Sequence, residues 1–190
     1  MDIKFKPGDV IGFSGNHWRS AIINLLTGGI PLWSLSHVGI IGNYRNEMLV
    51  FESSEYQDSP DRIFGLKIKG VQTHCPEDII ESYNGKVWLY SLYRNLYLNE
   101  ARRLNLTLLD SVGKLYDNED VWRSGGILFS LLQAIFHKQD LRKFFCSEFV
   151  AYELSNIGIF PTCNAGRWSP NHLIRTLIKN GIVHRPVRLK

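Results

Sequence analysis

Two stretches of this 190-residue sequence carry side chains that could do chemistry: one holds Cys146, the other His37 and Glu52. A deprotonated thiol is a strong nucleophile, an imidazole changes charge near neutral pH, and a carboxylate beside an imidazole can hold it in one tautomer. Cys146 lies in FFCSEFVAYEL, Phe144 to Leu154, where Phe145, Phe149 and Tyr152 with Val150 and Leu154 recur at helical spacing. Ser147 and Glu148 follow it as a hydroxyl and an acid, residue types that suit the open amide N–H groups of a first turn. Cys146 is therefore expected at a helix N-terminus, where the positive dipole end favours the thiolate. The plainer reading is a small hydrophobe packed between aromatics, and on this stretch alone that reading is the stronger.

His37 and Glu52 belong to SHVGIIGNYRNEMLVFESSE, two β-rich runs around a polar turn at Asn43 to Asn46. A two-residue loop at Tyr44-Arg45 and a four-residue loop from Asn43 to Asn46 both put Gly42 across from Glu47. Carried down the hairpin, that register puts His37 directly across from Glu52 on one sheet face, with Cβ atoms roughly 4.5–5.5 Å apart. A solvent-facing cross-strand pair is the alternative, and a one-residue slip would send Glu52 to the other face.

The elements that must position these residues can be followed along the chain. Pro7-Gly8-Asp9 turns into a strand from Val10 to Phe13 closed by Gly15, and His17 to Leu26 reads as a helix stopped at Thr27-Gly28-Gly29. His17 has no partner at helical spacing and reads as a surface or capping residue; Trp33 to Ser36 reads as loop. Beyond the hairpin, Ile63 to Ile68 and Gly70 to His74 read as strands. Cys75-Pro76-Glu77-Asp78 then opens a helix that ends near Asn84-Gly85, with proline first and acids in the first turn. Lys86 to Leu92 alternates as a strand does. His74 and Cys75, adjacent on a strand, face opposite ways and read as structural. Leu98 to Leu115 is an amphipathic helix with Ala101, Leu104, Leu108, Leu109 and Val112 on its apolar side, ended by Tyr116-Asp117-Asn118. Gly125-Gly126 opens ILFSLLQAIF, a core or lid helix, or alternatively a lipid-facing one. Gly158 stops the Cys146 helix, and a loop carries Cys163, Arg167 and Trp168. Ser169-Pro170 caps a last helix to Asn180-Gly181, and Val183 to Val187 reads as a final strand.

Composition narrows the function classes. With 44% hydrophobic and 12% aromatic residues, the chain can bury one sizeable core, and residues 1–190 are expected to form a single domain. The charge of +4 comes from 22 basic and 18 acidic residues, scattered apart from Arg185, Arg188 and Lys190, which argues against a nucleic-acid partner. The start has no signal-peptide core and no apolar run is long enough to cross a bilayer, so the expected compartment is the cytoplasm. Cys75, Cys146 and Cys163 are an odd number at unpatterned spacing and read as free thiols rather than a disulfide framework or a zinc site.

Three stretches, PGDVIGFSG, SHVGIIG with FESSE downstream, and GKLYD followed by FFCSEFVAYEL, resemble the permuted NlpC-type branch of papain-like cysteine hydrolases, the group of YiiX-like amidases. The resemblance spans Pro7 to the SPNHL stretch that begins at Ser169. It implies an α+β, circularly permuted papain-like fold in which an antiparallel sheet packs against helices, the nucleophile sits at a helix N-terminus, and histidine precedes cysteine in the chain. It further implies Cys146 as nucleophile, His37 as base and Glu52 as the group orienting His37, with no metal or cofactor. Tyr116 in GKLYD is similar to an oxyanion-stabilising tyrosine, although Leu115 stands where the family usually has proline. The substrate class implied is a peptide or acyl-amine, with lipid acyl transfer or ester hydrolysis as the alternative. A binding protein that retains the fold without turnover is the rival from another class, and the sequence leaves the oligomeric state open.

Overall fold

The computed structural model describes residues 4–15, 35–54, 59–114, 142–161 and 168–190, with the side chains of 142–145 set aside. The expected helix from His17 to Leu26, the loop at Trp33 and Ser34, Tyr116, the ILFSLLQAIF helix, Cys163 and Arg167 lie outside the described residues.

Six antiparallel strands form one sheet: β1 (Val10–Gly15), β2 (His37–Tyr44), β3 (Glu47–Ser54), β4 (Gly70–His74), β5 (Gly85–Tyr90) and β6 (Val187–Arg188), in the order β4-β3-β2-β1-β5-β6. The helices described are α1 (Pro76–Ser82), α2 (Leu98–Ser111), α3 (Arg142–Asn156) and α4 (Pro170–Lys179). Strands and helices mix as expected of an α+β fold.

Alternation along the strands divides the core in two. On one sheet face Val10, Val38, Ile40, Leu49, Phe51 and Val71 meet Leu104 and Leu108 of α2, Phe149, Val150 and Leu154 of α3, and Leu173 and Leu177 of α4, all fully buried. On the other, Ile11, Phe13, Ile41, Val50 and Val87 are covered by Ile79, Ile80 and Tyr83 of and just after α1. Gly42 lets α2 approach: a Cβ there would lie 2.6 Å from Leu108 Cδ1 and 2.7 Å from the Phe51 ring.

Several boundaries differ from the sequence reading, each for a local reason. Ile63 to Ile68 is no strand, because the buried Asp61 carboxylate accepts the N–H groups of Ile63 (2.9 Å) and Phe64 (2.7 Å) and folds the segment back. Helix α2 stops at Ser111 rather than Leu115, since Gly113 takes φ +78° and donates its N–H to the Val71 carbonyl at 2.8 Å. The last strand shrinks to Val187–Arg188, with Val183 contributing only a single bridge to Leu92. Helix α4 starts as expected: Ser169 Oγ accepts the His172 N–H at 3.3 Å, with Pro170 in the first turn.

Candidate active site

The β2–β3 hairpin carries two of the three reactive side chains, and its turn sets their registration. Arg45 and Asn46 both adopt positive φ, 51° and 68°, and Tyr44 pairs with Glu47. This is the two-residue turn whose twist suits a hairpin, with the Asn46 N–H tied to Asn43 Oδ1 at 3.2 Å. Ile40 therefore opposes Phe51, and the register is shifted by two residues from the one expected. Continued one step, it sets Gly39 across from Glu52. A shift of two keeps every side chain on its face. Glu52 and His37 are thus diagonal neighbours rather than directly opposed ones, a separation that long side chains span. The hydrogen bond forms: His37 Nε2 lies 2.9 Å from Glu52 Oε2.

Cys146 reaches this pair from α3. The helix begins one turn earlier than expected, so Cys146 is its fifth residue and not in the first turn. In a regular helix the fifth amide already donates to the first carbonyl, so the Cys146 N–H is not among the open donors. Ser147 and Glu148 do not cap α3 either: Ser147 Oγ donates to the Trp168 carbonyl, and Glu148 is buried. Tyr152, expected on the apolar side, is 47% exposed. Cys146 itself is fully buried in the core on the helix-covered face. His37, as the first residue of β2, stands at the end of the sheet, beside Phe13 with ring centroids 5.6 Å apart, and its ring hydrogen-bonds the Cys146 thiol. With Nε2 held by Glu52, Nδ1 is the nitrogen left to face the sulfur.

The electrostatics follow from that arrangement. Burial pulls the His37 pKa down, but the charges of Cys146 and then Glu52, with their hydrogen bonds, outweigh it and hold His37 well above its ordinary value. Burial pushes Glu52 up, and the His37 charge and hydrogen bond, helped by the charge of His74, bring it below the ordinary carboxylate value.

His74 is the neighbour that the sequence reading passed over. It opposes Val50 on β4, on the same face as Glu52, and its Nε2 lies 3.6 Å from Glu52 Oε1. Extending the hairpin pairing to the next strand was the signal that could have found it.

Two long-range contacts hold the cysteine helix and the histidine strand to a common support. Trp168, just before α4, takes the Ser147 hydroxyl, and Asn171 within α4 accepts the Leu35 N–H at 2.8 Å and donates to the Leu35 carbonyl at 3.4 Å. One helix start thus fixes both the residue after Cys146 and the residue two before His37.

The crystal structure of the metalloprotein yiiX from Escherichia coli O157:H7 superimposes on the chain with a TM-score of 0.51 over 96% of this chain and 87% of that one. The fold is yiiX-like. Sequence identity is 21%, so the likeness is one of fold and carries no reaction with it. No protein-family model and no curated protein matches the sequence. Within this yiiX-like fold, no group of three or more His, Cys, Asp or Glu side chains among the described residues is arranged to hold a metal ion. Nor is any helix among them long and apolar enough to cross a membrane.

Proposed function

We propose that the protein is a cysteine hydrolase that cleaves an amide bond, of a peptide or an acyl-amine, through Cys146, His37 and Glu52. The observation that carries the reading is a single imidazole bonded to a buried thiol and, at 2.9 Å, to a buried carboxylate. Packing alone does not call for such a trio. Burying ionisable groups costs desolvation that apolar residues of the same volume avoid, and strongly perturbed groups gathered together mark sites of chemistry.

His37 takes the Cys146 proton, and the thiolate attacks the acyl carbon. As the tetrahedral intermediate collapses, the C–N bond breaks and His37 returns its proton to the leaving amine. The resulting thioester is hydrolysed by a water that His37 deprotonates, which frees the acid and restores the thiol. Glu52 makes and breaks no bond to substrate; it holds the ring so that Nδ1 faces sulfur and supports the imidazolium. With the Cys146 amide engaged in α3, oxyanion stabilisation falls to other donors, and Tyr116 is proposed for it from the sequence resemblance.

The structural relative yiiX is a metalloprotein. Among the described residues the donors do not fit a resident metal: no three ligating side chains are suitably arranged, and His37 Nε2 is engaged by Glu52. The reaction proposed uses the thiol as nucleophile and no Lewis acid.

Iodoacetamide tests the reading without knowledge of the substrate. Cys146 is expected to alkylate faster than an ordinary thiol, because His37 stands beside it to take its proton. A rate no higher than that of a free thiol, rising only as ordinary thiols ionise, would make this a binding protein that keeps the fold. Glu52→Gln retains the shape and an acceptor oxygen but removes the charge. Turnover is expected to fall by about 10⁴-fold, less than on loss of the nucleophile, with the fold intact by circular dichroism. Loss of folding in Glu52→Gln would instead make Glu52 a structural group.

A further inference from the structure

We propose that His74 is a second positioning residue of this site, sharing the Glu52 carboxylate with His37 and holding it ionised and oriented. The inference rests on the catalytic reading of Cys146, His37 and Glu52 and extends it by one residue.

Glu52 sits in the middle of three adjacent strands, and its two oxygens divide between the outer two. Oε2 is 2.9 Å from His37 Nε2 on β2, and Oε1 is 3.6 Å from His74 Nε2 on β4. Both histidines lie diagonal to Glu52, because His74 opposes Val50 while Gln72 stands directly across from Glu52. Diagonal neighbours on one face are within reach of long side chains. At 3.6 Å the His74 contact is an electrostatic one rather than a full hydrogen bond.

The outer end of His74 is also held. Its Nδ1 lies 3.2 Å from Ser59 Oγ, and Ser59 is exposed. With Nδ1 taken by the Ser59 hydroxyl, Nε2 is the nitrogen left to face the carboxylate. A chain of polar groups therefore runs from the buried thiol of Cys146 through His37, Glu52 and His74 to solvent at Ser59. Both ends of the carboxylate are then occupied, so it cannot rotate away from His37 without losing His74.

The other charges near Glu52 do not compete for this role. Helix α1, which packs on β3, turns Glu77, Asp78 and Glu81 to solvent, and α3 presents the Cys146 thiol to His37. Of the charges that act on Glu52, those favouring its ionised form are His37 and His74.

Nuclear magnetic resonance of protein labelled with 13C at glutamate side chains tests the assignment, with the Glu52 signal identified by its absence in Glu52→Gln. In the wild type Glu52 is expected to titrate below an ordinary carboxyl group. In His74→Leu its midpoint should rise by about half a pH unit or more, since burial is then opposed by one imidazole instead of two. His74→Gln, which restores an N–H donor, should fall between the two and serves also if the leucine variant does not fold. A Glu52 midpoint unmoved in both variants overturns the proposal. If Glu52 shifts while wild-type Cys146 reacts as an ordinary thiol, the pairing with His74 stands and the catalytic reading fails. If Cys146 is fast and Glu52 does not shift, the catalytic reading stands and His74 is only packing.

Discussion

Cys146→Ala should abolish turnover while the protein stays folded. On the proposed mechanism the substitution removes the atom that would form the thioester, leaving only what His37, Glu52 and substrate binding do with water. For triads acting as a unit, loss of the nucleophile alone costs about six orders of magnitude in kcat. The cost in stability is of another order. Cys146 is fully buried, so alanine leaves a space about the size of one sulfur, and small deletions of this kind cost roughly 1–2 kcal/mol. Thermal unfolding followed by circular dichroism should therefore show a fall of a few degrees beside an activity too low to measure. A collapse of the fold with activity lost only in proportion would mean that the thiol is there to pack.

The same variant reads the electrostatics. Burial is the largest single influence on His37, and it acts downwards; the Cys146 charge is the largest that opposes it, ahead of Glu52. With the sulfur gone, the His37 titration midpoint should drop, and histidine proton resonances followed over pH 4 to 10 would record it. A midpoint that stays where it was would mean that thiol and imidazole do not interact.

How much of this could be read from the sequence depended on whether the signal was local. The start of α4 was legible because Ser169-Pro170 is a cap whose chemistry is complete in two residues, and Gly70–His74 was legible as a strand from its own pattern. The hairpin register was not. It turns on Arg45 adopting a left-handed conformation, φ 51°, and arginine carries no marker for that. Yet the His37–Glu52 contact survived the wrong register, because a slip of two leaves the face unchanged and long side chains reach diagonally across a sheet face. The start of α3 was missed for the opposite reason: Arg142 and Lys143 bring no capping side chain, so the first recognisable signals, Ser147 and Glu148, were taken for a beginning that lies a turn earlier. His74 could be recognised only once β4 was paired beside β3, and β6 depends wholly on β5 being there to receive it. Those are tertiary facts, with no trace in the spacing of residues along the chain.

Glu148→Gln should stabilise the protein, and by an amount that grows with pH. Glu148 is 3% exposed, and burial pushes its carboxyl pKa from 4.5 up to about 8. The folded state therefore holds this proton more tightly than the unfolded chain does. Below about pH 4.5 the group is neutral in both states and exacts no penalty. Between there and about pH 8 unfolding releases a proton, and stability declines by about 1.4 kcal/mol for each pH unit; above that range the penalty is complete. Glutamine has no proton to lose. The two proteins should thus be close in stability at pH 5 and diverge by roughly 3–5 kcal/mol near pH 8, measured by urea unfolding at several pH values. A gap of the same size at pH 5 and pH 8 would mean that Glu148 is ionised in the folded protein. The position of the residue gives the result a bearing on the site. Two residues beyond Cys146, an ionised Glu148 would oppose a thiolate across a poorly screened interior, whereas a neutral one does not. Retaining an acid there, at a cost in stability that glutamine would avoid, is consistent with a helix whose composition answers to more than packing.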